Sequence, residues 1–558
     1  MNDFLRLKES NCKNCYKCIR HCSVKAISFK SNQANIVADE CILCGECFVK
    51  CPQNAKSIKD DLPLAKKLLQ EDAPVYASIA PSFIANYAGS SVSTMQKALM
   101  QLGFAGAEET AIGATVVKNR YEDMINSGEA SVIISSCCHT VNLLIQRYYP
   151  DALPYLAKVQ SPMQVHCAKI KREYPNAKTV FIGPCISKKA EAVQYPGIVD
   201  CVLTFEDLTK WLEEENIAVQ TDDNIELGGK TRLFPVAGGI LRSMNTNNAE
   251  YNYITIDGVE NCISAIEDII SGDLENCFIE MSACKGSCVS GPAMNHINSL
   301  PLRSQIAVNS HAGDKDFSVE ATNSSNLEKK INFQTIHTPR PGKSAIQEVL
   351  RQMGKLTLQE ELNCGSCGYN TCREKAVAIL LGKADVSMCL PYLMARAQSF
   401  SETIINNTPN GIIVLNDSFE IQQINSAACS ILNVKNQHDV LGRQVVYVLD
   451  PAPFMEVINS KRNIYERRAY LAEYSRYVML TVIHDHSFNV IISIMRDITE
   501  SELAREGKEE RDRKTIEITD KVIEKQMRTV QEIASLLGET TAETQIALKK
   551  LKETLQDE

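Results

Sequence analysis

Cysteine is the residue type in this chain with the clearest capacity for chemistry. The 558 residues include 22 cysteines, and most of them stand in closely spaced groups. Thiolates are soft ligands that bind iron–sulfur clusters and zinc, and in a reducing cytosol grouped cysteines bind metals rather than form disulfides. The grouping therefore predicts several metal centres, which the rest of the chain must position.

Residues 1–60 contain two copies of one cysteine motif. The run Cys-x2-Cys-x2-Cys-x3-Cys starts at Cys12 and again at Cys41, so each cysteine recurs 29 residues later. The duplication resembles the two-cluster bacterial ferredoxins, in which the fourth cysteine of each run binds the other cluster. It implies two [4Fe–4S] clusters, with a zinc module as the alternative. The ligands would be Cys12, Cys15, Cys18 and Cys51 for the first cluster, and Cys41, Cys44, Cys47 and Cys22 for the second.

Three later stretches place cysteines among small residues, which let the backbone approach an inorganic cluster closely. They are Ser135-Ser136-Cys137-Cys138, Pro184-Cys185-Ile186-Ser187-Lys188-Lys189-Ala190-Glu191 and Glu280-Met281-Ser282-Ala283-Cys284-Lys285-Gly286-Ser287-Cys288. In this order the stretches resemble the signature loops of the active-site domain of the [FeFe] hydrogenases. Residues 75–340 are therefore identified as a domain of that kind.

In that family, four cysteines hold a [4Fe–4S] cubane, and one of them bridges to a two-iron subsite that carries CO, cyanide and a dithiolate. The resemblance implies the cubane ligands Cys138, Cys185, Cys284 and Cys288, with Cys288 as the bridge. Cys137 would transfer protons, which suits a thiol with a pKa of about 8.5; the alternative is a small buried hydrophobic residue. Lys188 would donate to one cyanide, and Pro81 and Ser82 would contact the other.

A departure from the hydrogen-producing members bears on function. Those enzymes carry two relay glutamates in a segment that we align with residues 110–117, where this chain has no acidic residue. Gly183 and Ser282 replace family methionines near the cofactor, and Met163 replaces a glutamine. Proton delivery into a dry pocket needs groups within hydrogen-bond reach. We therefore expect slow turnover with cofactor binding retained.

The expected fold class is multidomain α/β and α+β. Alternating strands and helices in residues 75–340 predict α/β layers with the ligand loops at strand ends, and the resemblance implies two lobes around the cluster. Residues 61–75 are predicted to be a charged connector and residues 300–345 a polar linker. Within residues 343–395, four cysteines resemble a small [4Fe–4S] domain, with zinc as the alternative. They are Cys364, Cys367, Cys372 and Cys389.

Residues 400–499 resemble a PAS sensor domain, because strand pairs lead into the junction Asp497-Ile498-Thr499. In residues 501–558, apolar residues recur every seven positions from Ile516 to Leu551, which predicts coiled-coil helices. Gly538, followed by a capping-box pattern, predicts a break between two helices. The alternative is a solvated helix packed on its own chain.

Charge and hydropathy exclude some classes of function. A net charge of −9 argues against general affinity for nucleic acid. No apolar run approaches the ~18 residues that a membrane-spanning helix requires, and the N-terminus lacks an apolar signal core. We therefore expect a cytoplasmic protein that binds neither nucleic acid nor membrane.

Three functions are compatible with these features. The first is a low-activity [FeFe] hydrogenase that senses H2 or redox state and signals through the PAS domain and coiled coil. The second is a catalytic ferredoxin-linked hydrogenase, and the third an electron carrier that lacks the diiron site. The missing glutamates and the PAS–helix tail favour the first. Its partners would be H2 and protons, ferredoxin or another electron carrier, a second copy bound through residues 501–558, and a separate kinase or serine phosphatase.

Overall fold

The computed structural model describes residues 4–8, 11–222, 228–245, 248–294, 301–320, 324–334, 336, 339 and 341–554. The chain divides into two compact units, Met1–Leu393 and Met394–Glu558. In the part of the chain that is described, no helix has the length and apolar character needed to cross a membrane.

At the start of the first unit, the duplicated cysteine motif corresponds to a duplicated local structure. Two short helices, Lys17–Arg20 and Glu46–Val49, follow the left-handed residues Tyr16 and Gly45, which occupy equivalent positions in the repeat. The strands pair antiparallel, Leu5–Leu7 with Lys56–Ile58 and Ile27–Lys30 with Gln33–Ile36. At Gly45 a Cβ would lie 2.4 Å from Pro292, so glycine lets this small domain pack tightly against the next one.

The following domain contains two parallel sheets, as the two-lobed prediction requires. The first has the strand order Gly106–Glu109, Val75–Ile79, Lys178–Gly183, Cys201–Thr204, and the second the order Asn252–Asp257, Cys277–Ser282, Val132–Ile134. Each predicted ligand loop leaves the carboxyl end of one of these strands. Sites in α/β proteins form at such ends because parallel strands finish on the same edge. The loops of both sheets therefore meet at one place.

Helices cover both sheets. Their bounds are Val92–Gln101, Thr110–Asn126, His139–Tyr148, Pro162–Glu173, Ser187–Gln194, Phe205–Glu214, Gly239–Ser243 and Val259–Ser271. Local capping starts two of them, since Ser91 Oγ accepts the N–H of Thr94 and Thr204 Oγ1 that of Asp207. The start of each of these helices is thus specified by its own sequence.

Two expectations about connecting segments are wrong. The predicted connector 61–75 contains the helix Leu62–Leu68, whose Leu62, Ala65 and Leu68 are buried at a spacing of three residues. The predicted linker 300–345 contains the helix Pro301–His311, which buries Ser304 and Val308. Both helices bury a narrow face, and the polar residues around each obscured its periodicity.

Two helices, Lys343–Gln352 and Cys372–Leu380, form the core of the four-cysteine domain around the buried Leu350, Met353 and Ala376. The helix Leu390–Asn407 follows directly after Cys389. This small domain belongs to the first unit as far as Leu393.

The second unit contains a five-stranded antiparallel sheet of the kind expected for a PAS domain. The strand order is Ile421–Ile424, Gly411–Leu415, Val490–Asp497, Arg476–Asp485, Ile464–Leu471. The helices Ser426–Ile431 and Ala452–Ser460 belong to the same unit. Asn425 caps the first of these through the N–H of Ala428, and the predicted strand pairs at both ends of the domain are present.

The tail is one continuous helix, Thr499–Thr554, so the predicted break at Gly538 is wrong. Thr541 Oγ1 donates back to the carbonyl of Leu537 instead of capping a new helix. A glycine inside a helix costs only about 1 kcal/mol, which the continuing hydrogen-bond ladder tolerates. The seam residues Ile516, Ile523, Val530 and Leu537 are all more than half exposed.

Candidate active site

A cavity of about 110 Å³ lies where the ligand loops of the two sheets meet. Its wall includes Cys137 and three of the four predicted cubane ligands, Cys138, Cys185 and Cys288. Pro81, Ser82 and Lys188, predicted to contact cyanide, also line it. We call this space the cysteine cavity. Its remaining wall is largely apolar, with Phe181, Phe234 and Ile240 among the residues.

The fourth predicted ligand, Cys284, lies close to the other three. Burial raises the pKa of its thiol, and negative charge on Cys185, Cys138 and Cys288 raises it further. Burial likewise raises the pKa of Cys288 to about 12. Beyond the effect of burial, negative charge on neighbouring cysteines thus raises the pKa of Cys284 and Cys288, and that of Cys138 as well. Such a group of thiols fits a cationic centre, because iron binds thiolate and supplies the missing positive charge. The residues present therefore fit a cubane.

Ser82 and Lys188 present polar atoms to the cysteine cavity. Ser82 Oγ is buried and has no hydrogen-bond partner among the described residues. A buried hydroxyl without a partner costs about 1–3 kcal/mol, so its position fits a ligand that hydrogen-bonds to it. Lys188 Nζ donates to the Cys137 carbonyl at 3.1 Å and to Glu191 Oε2 at 2.5 Å.

Glu191 is at the centre of a buried ionic cluster behind Lys188. Its side chain is completely buried and also pairs with Lys329, which is 1% exposed. Burial alone would raise the pKa of Glu191, but the ammonium groups of Lys188 and Lys329 hold this pKa far below its usual range. The cluster fixes Lys188 in place. Sequence reasoning missed Lys329 because it lies in the segment predicted to be a linker.

Tyr121 is the side chain that contacts Cys137. Its Oη lies 3.3 Å from Cys137 Sγ and accepts the N–H of Ser136 at 3.0 Å. Tyr121 belongs to the helix Thr110–Asn126, which also contains residues 110–117, the segment that we align with the relay segment of the family. Burial raises the pKa of Cys137 to about 12 and that of Tyr121 well above its usual value.

Glu280 is a cavity residue to which sequence reasoning gave no role of its own. It is 2% exposed, and burial raises its pKa to about 7. The backbone N–H of Leu241 donates to Glu280 Oε2 at 3.1 Å, at the helix Gly239–Ser243. A carboxyl group that titrates near neutral pH therefore lies in the cavity wall.

The structure brings together the four cysteines of the second ferredoxin-like set. A small cavity is lined by Cys22, Cys41, Cys44 and Cys47 together. In the first set, burial and then negative charge on Cys12 and Cys15 raise the pKa of Cys18. The position of Cys51 relative to this set stays a prediction.

A third small cavity is lined by Cys364, Cys367, Cys372 and Cys389. In the described ranges, no three His, Cys, Asp or Glu side chains converge on a single ion position. Cubane ligands need not converge in that way, because each thiolate binds a different iron atom.

The cysteine sites adjoin one another. Charge on Cys44 acts on the thiol of Cys284, which places the second ferredoxin-like site beside the predicted cubane. On the other side, Lys25 Nζ donates to the carbonyl of Gly368 at 3.0 Å. Burial, followed by negative charge on Cys367 and Cys22, raises the pKa of Tyr369. The ferredoxin-like domain thus contacts both other cysteine sites.

Comparison with known proteins agrees with this arrangement. Residues 73–292 match the family model of the iron only hydrogenase large subunit, C-terminal domain. Residues 4–53 match a 4Fe-4S dicluster domain, residues 360–391 an Fe-S cluster domain, and residues 399–463 a PAS domain.

Three relatives illustrate the range of the similarity. Iron hydrogenase 1 of Clostridium pasteurianum is 26% identical over 285 residues, which are 41% of this chain and 50% of that protein. The periplasmic [Fe] hydrogenase large subunit of Nitratidesulfovibrio vulgaris is 24% identical, over 52% of this chain and 85% of the relative. The cytosolic Fe-S cluster assembly factor NAR1 of Encephalitozoon cuniculi is 22% identical, over 30% of this chain and 54% of that protein.

The chain spans about half the length of the first relative and most of the second. Its matched domains follow one another in the order dicluster, hydrogenase, Fe–S and PAS. The chain therefore combines an [FeFe] hydrogenase-like domain with iron–sulfur domains and a PAS domain.

Proposed function

We propose that this protein is a sensory hydrogenase. It holds an H-cluster in the cysteine cavity, reacts slowly and reversibly with hydrogen, and relays the resulting state through the PAS domain and the tail helix. The contact between Cys137 and Tyr121 carries the proposal. Cys137, a thiol that must exchange protons, is hydrogen-bonded to the buried Tyr121, whose hydroxyl leads through Ser136 Oγ to the Val159 carbonyl. A carbonyl has no proton to pass on, so this route does not deliver protons to Cys137.

The residues of the cavity have separate roles in this proposal. When bound, the two-iron subsite supplies reversible splitting of H2 into protons and electrons. Cys137 holds a proton at Sγ, while Lys188 Nζ and Ser82 Oγ orient the cofactor by hydrogen bonds. The apolar side chains of Phe181 and Phe234 lie in the wall and exclude water from the cavity. Four [4Fe–4S] sites in all are proposed, with ligands as given in the sequence analysis.

Electrons would reach the cavity through the ferredoxin-like domain. Cys44 is a proposed ligand of the second ferredoxin-like cluster, and its negative charge raises the pKa of the Cys284 thiol. Arg147 holds the two domains together by donating to the Cys41 carbonyl at 2.6 Å, and Tyr148 Oη donates to the Glu40 carbonyl at 2.7 Å. The electron partner is proposed to be ferredoxin or another small carrier in the cytoplasm.

The output would pass from the PAS sheet into the tail. Tyr477 in the strand Arg476–Asp485 binds the helix start twice, through its N–H to Thr499 Oγ1 at 2.9 Å and its Oη to Glu506 at 2.9 Å. A change in this strand therefore acts directly on the helix. We propose that the exposed seam of the helix pairs with a second copy of the chain. A separate kinase or serine phosphatase would bind the paired helices.

Hydrogen turnover by the matured protein tests the proposal. The expected result is a low rate of H2 oxidation and evolution, together with infrared CO and cyanide bands that shift reversibly under H2. Turnover as fast as that of ferredoxin-linked hydrogenases would instead establish the catalytic function. Matured protein without CO and cyanide bands would leave an electron carrier, the function that the cavity residues Lys188 and Ser82 argue against.

A further inference from the structure

A chain of four polar side chains runs from the cysteine cavity to the protein surface. Thr110 lines the cavity, and its Oγ1 lies 2.8 Å from Ser78 Oγ. Ser78 Oγ lies 2.7 Å from His166 Nδ1, and His166 Nε2 lies 3.3 Å from Glu108 Oε2. Ser78 and His166 are fully buried, whereas the Glu108 side chain is 23% exposed. The chain therefore links a buried cavity to solvent.

The fold brings these residues together from four elements. Ser78 and Glu108 are directly paired across neighbouring strands, so both side chains project from the same face of the sheet. Thr110 is the first residue of the helix Thr110–Asn126, which directly follows the strand of Glu108, and His166 comes from the helix Pro162–Glu173. At Gly113 a Cβ would lie 2.8 Å from His166 Cβ, so this glycine allows the close approach of the two helices.

The charge of Glu108 sets the direction of the hydrogen bonds. The hydrogen bond from His166 lowers the pKa of Glu108, with a smaller contribution from Lys169, so this group is an acceptor at neutral pH. His166 Nε2 then carries the ring proton, and Nδ1 accepts from Ser78, which in turn accepts from Thr110. Burial lowers the pKa of His166 although Glu108 and Glu109 oppose this, and Lys169 lowers it further. The imidazole is therefore neutral and able to pass a proton on.

We propose that Thr110, Ser78, His166 and Glu108 form a proton path between the cysteine cavity and solvent, an inference that rests on the hydrogen chemistry proposed above. A proton from the cavity binds Thr110 Oγ1 as the proton of Thr110 passes to Ser78 Oγ. The Ser78 proton passes to His166 Nδ1, and the Nε2 proton passes to Glu108, which releases it to water. One proton enters and one leaves, no electron moves, and the reverse sequence admits a proton.

Two other polar groups of the cavity, Cys137 and Lys188, lead elsewhere. Cys137 contacts Tyr121, whose hydroxyl lies 3.2 Å from Ser136 Oγ, and Ser136 Oγ donates to the Val159 carbonyl at 2.8 Å. A carbonyl has no proton to pass on. Lys188 leads to Glu191, which stays ionised between two lysines. Of these three routes, the one through Thr110 ends at a partly exposed titratable group.

A matched pair of threonine variants tests the path. Thr110→Val removes the first hydroxyl, whereas Thr115→Val removes a buried hydroxyl on the same helix that donates to the Ala111 carbonyl and lies outside the path. In matured protein, a pH jump shifts the infrared CO bands as the cavity gains or loses protons. Thr110→Val is expected to slow this relaxation at least about tenfold, with unchanged cofactor content. Equal rates in both variants would refute the path and leave the proposed function standing.

A second measurement uses the full chain without cofactor. The protein is labelled with 15N-histidine, and the imidazole signal that disappears in His166→Gln is assigned to His166. In the unaltered chain this signal should show the Nε2–H tautomer. Glu108→Gln should shift that signal toward the Nδ1–H form, because the amide no longer favours a proton on Nε2. An Nδ1–H tautomer in the unaltered chain would overturn the path. Absence of CO and cyanide bands after maturation would overturn the proposed function instead.

Discussion

Replacing Glu280 with glutamine should stabilise the hydrogenase-like domain, and the gain should grow as the pH rises. Burial raises the pKa of this carboxyl from 4.5 to about 7. A carboxyl whose folded pKa exceeds its unfolded pKa stabilises the fold below the unfolded value, and this contribution is lost as the pH rises through the folded value. The pH window therefore lies between about 4.5 and about 7.

The size of the effect follows from these two values. At about 1.4 kcal/mol per pH unit, ionising Glu280 in the folded protein costs roughly 3 kcal/mol above pH 7. Glutamine avoids this cost because it stays neutral, and its carbonyl oxygen still accepts the N–H of Leu241. We expect Glu280→Gln to raise the free energy of unfolding by up to roughly 3 kcal/mol at pH 8 and by little at pH 4.5.

Urea unfolding of the full chain without cofactor, followed by tryptophan fluorescence, measures this gain. The chain has one tryptophan, Trp211, which is buried in the same domain with its ring 5.9 Å from that of Phe104. Glu275→Gln is the control, because Glu275 is exposed two residues before the same strand. An equal gain at both pH values, or a loss at pH 8, would refute the assignment of Glu280 as a carboxyl destabilised by burial.

Three further predictions follow from the proposed function. Fully matured protein should contain about 18 irons, from four cubanes and one two-iron subsite; about ten or fewer on iron analysis would exclude at least two clusters. Cys137→Ala should abolish most hydrogen turnover but keep the infrared CO and cyanide bands, whereas Cys288→Ala should lose these bands. If the bands are absent from the Cys137 variant, the roles of the two cysteines are misassigned. Deletion of residues 501–558 should convert a dimer into a monomer in sedimentation without changing cluster content, because the exposed seam of the tail supplies the contact. A truncated protein that remains dimeric would contradict the pairing of these helices.

The sequence predicted most of the fold because each element leaves a local pattern. Strand and helix alternation in residues 75–340 predicted α/β layers, and the structure has two parallel sheets there; the strand pairs of residues 400–499 predicted the sheet of the PAS domain. The errors arose where a local pattern was weak or ambiguous. The helix Leu62–Leu68 buries a narrow face, and a threonine such as Thr541 can either cap a new helix or hydrogen-bond within the existing one.

Cluster chemistry was also readable from the sequence alone, since it depends on one residue type at fixed spacing. The duplicated motif was enough to join Cys22 with Cys41, Cys44 and Cys47, which line one cavity in the structure. Such spacing is written along the chain and needs no knowledge of what packs against it.

Only the tertiary structure decided how protons and charges are arranged around the cysteine cavity. Tyr121 meets Cys137, and Lys329 meets Glu191, through contacts between distant segments that no local periodicity encodes. Strand register and helix packing likewise place Ser78 and Glu108 at the two ring nitrogens of His166. Burial, nearby charges and hydrogen bonds, which all depend on the whole fold, set the pKa values of the titratable groups among these residues. The sequence by itself contains no measure of them.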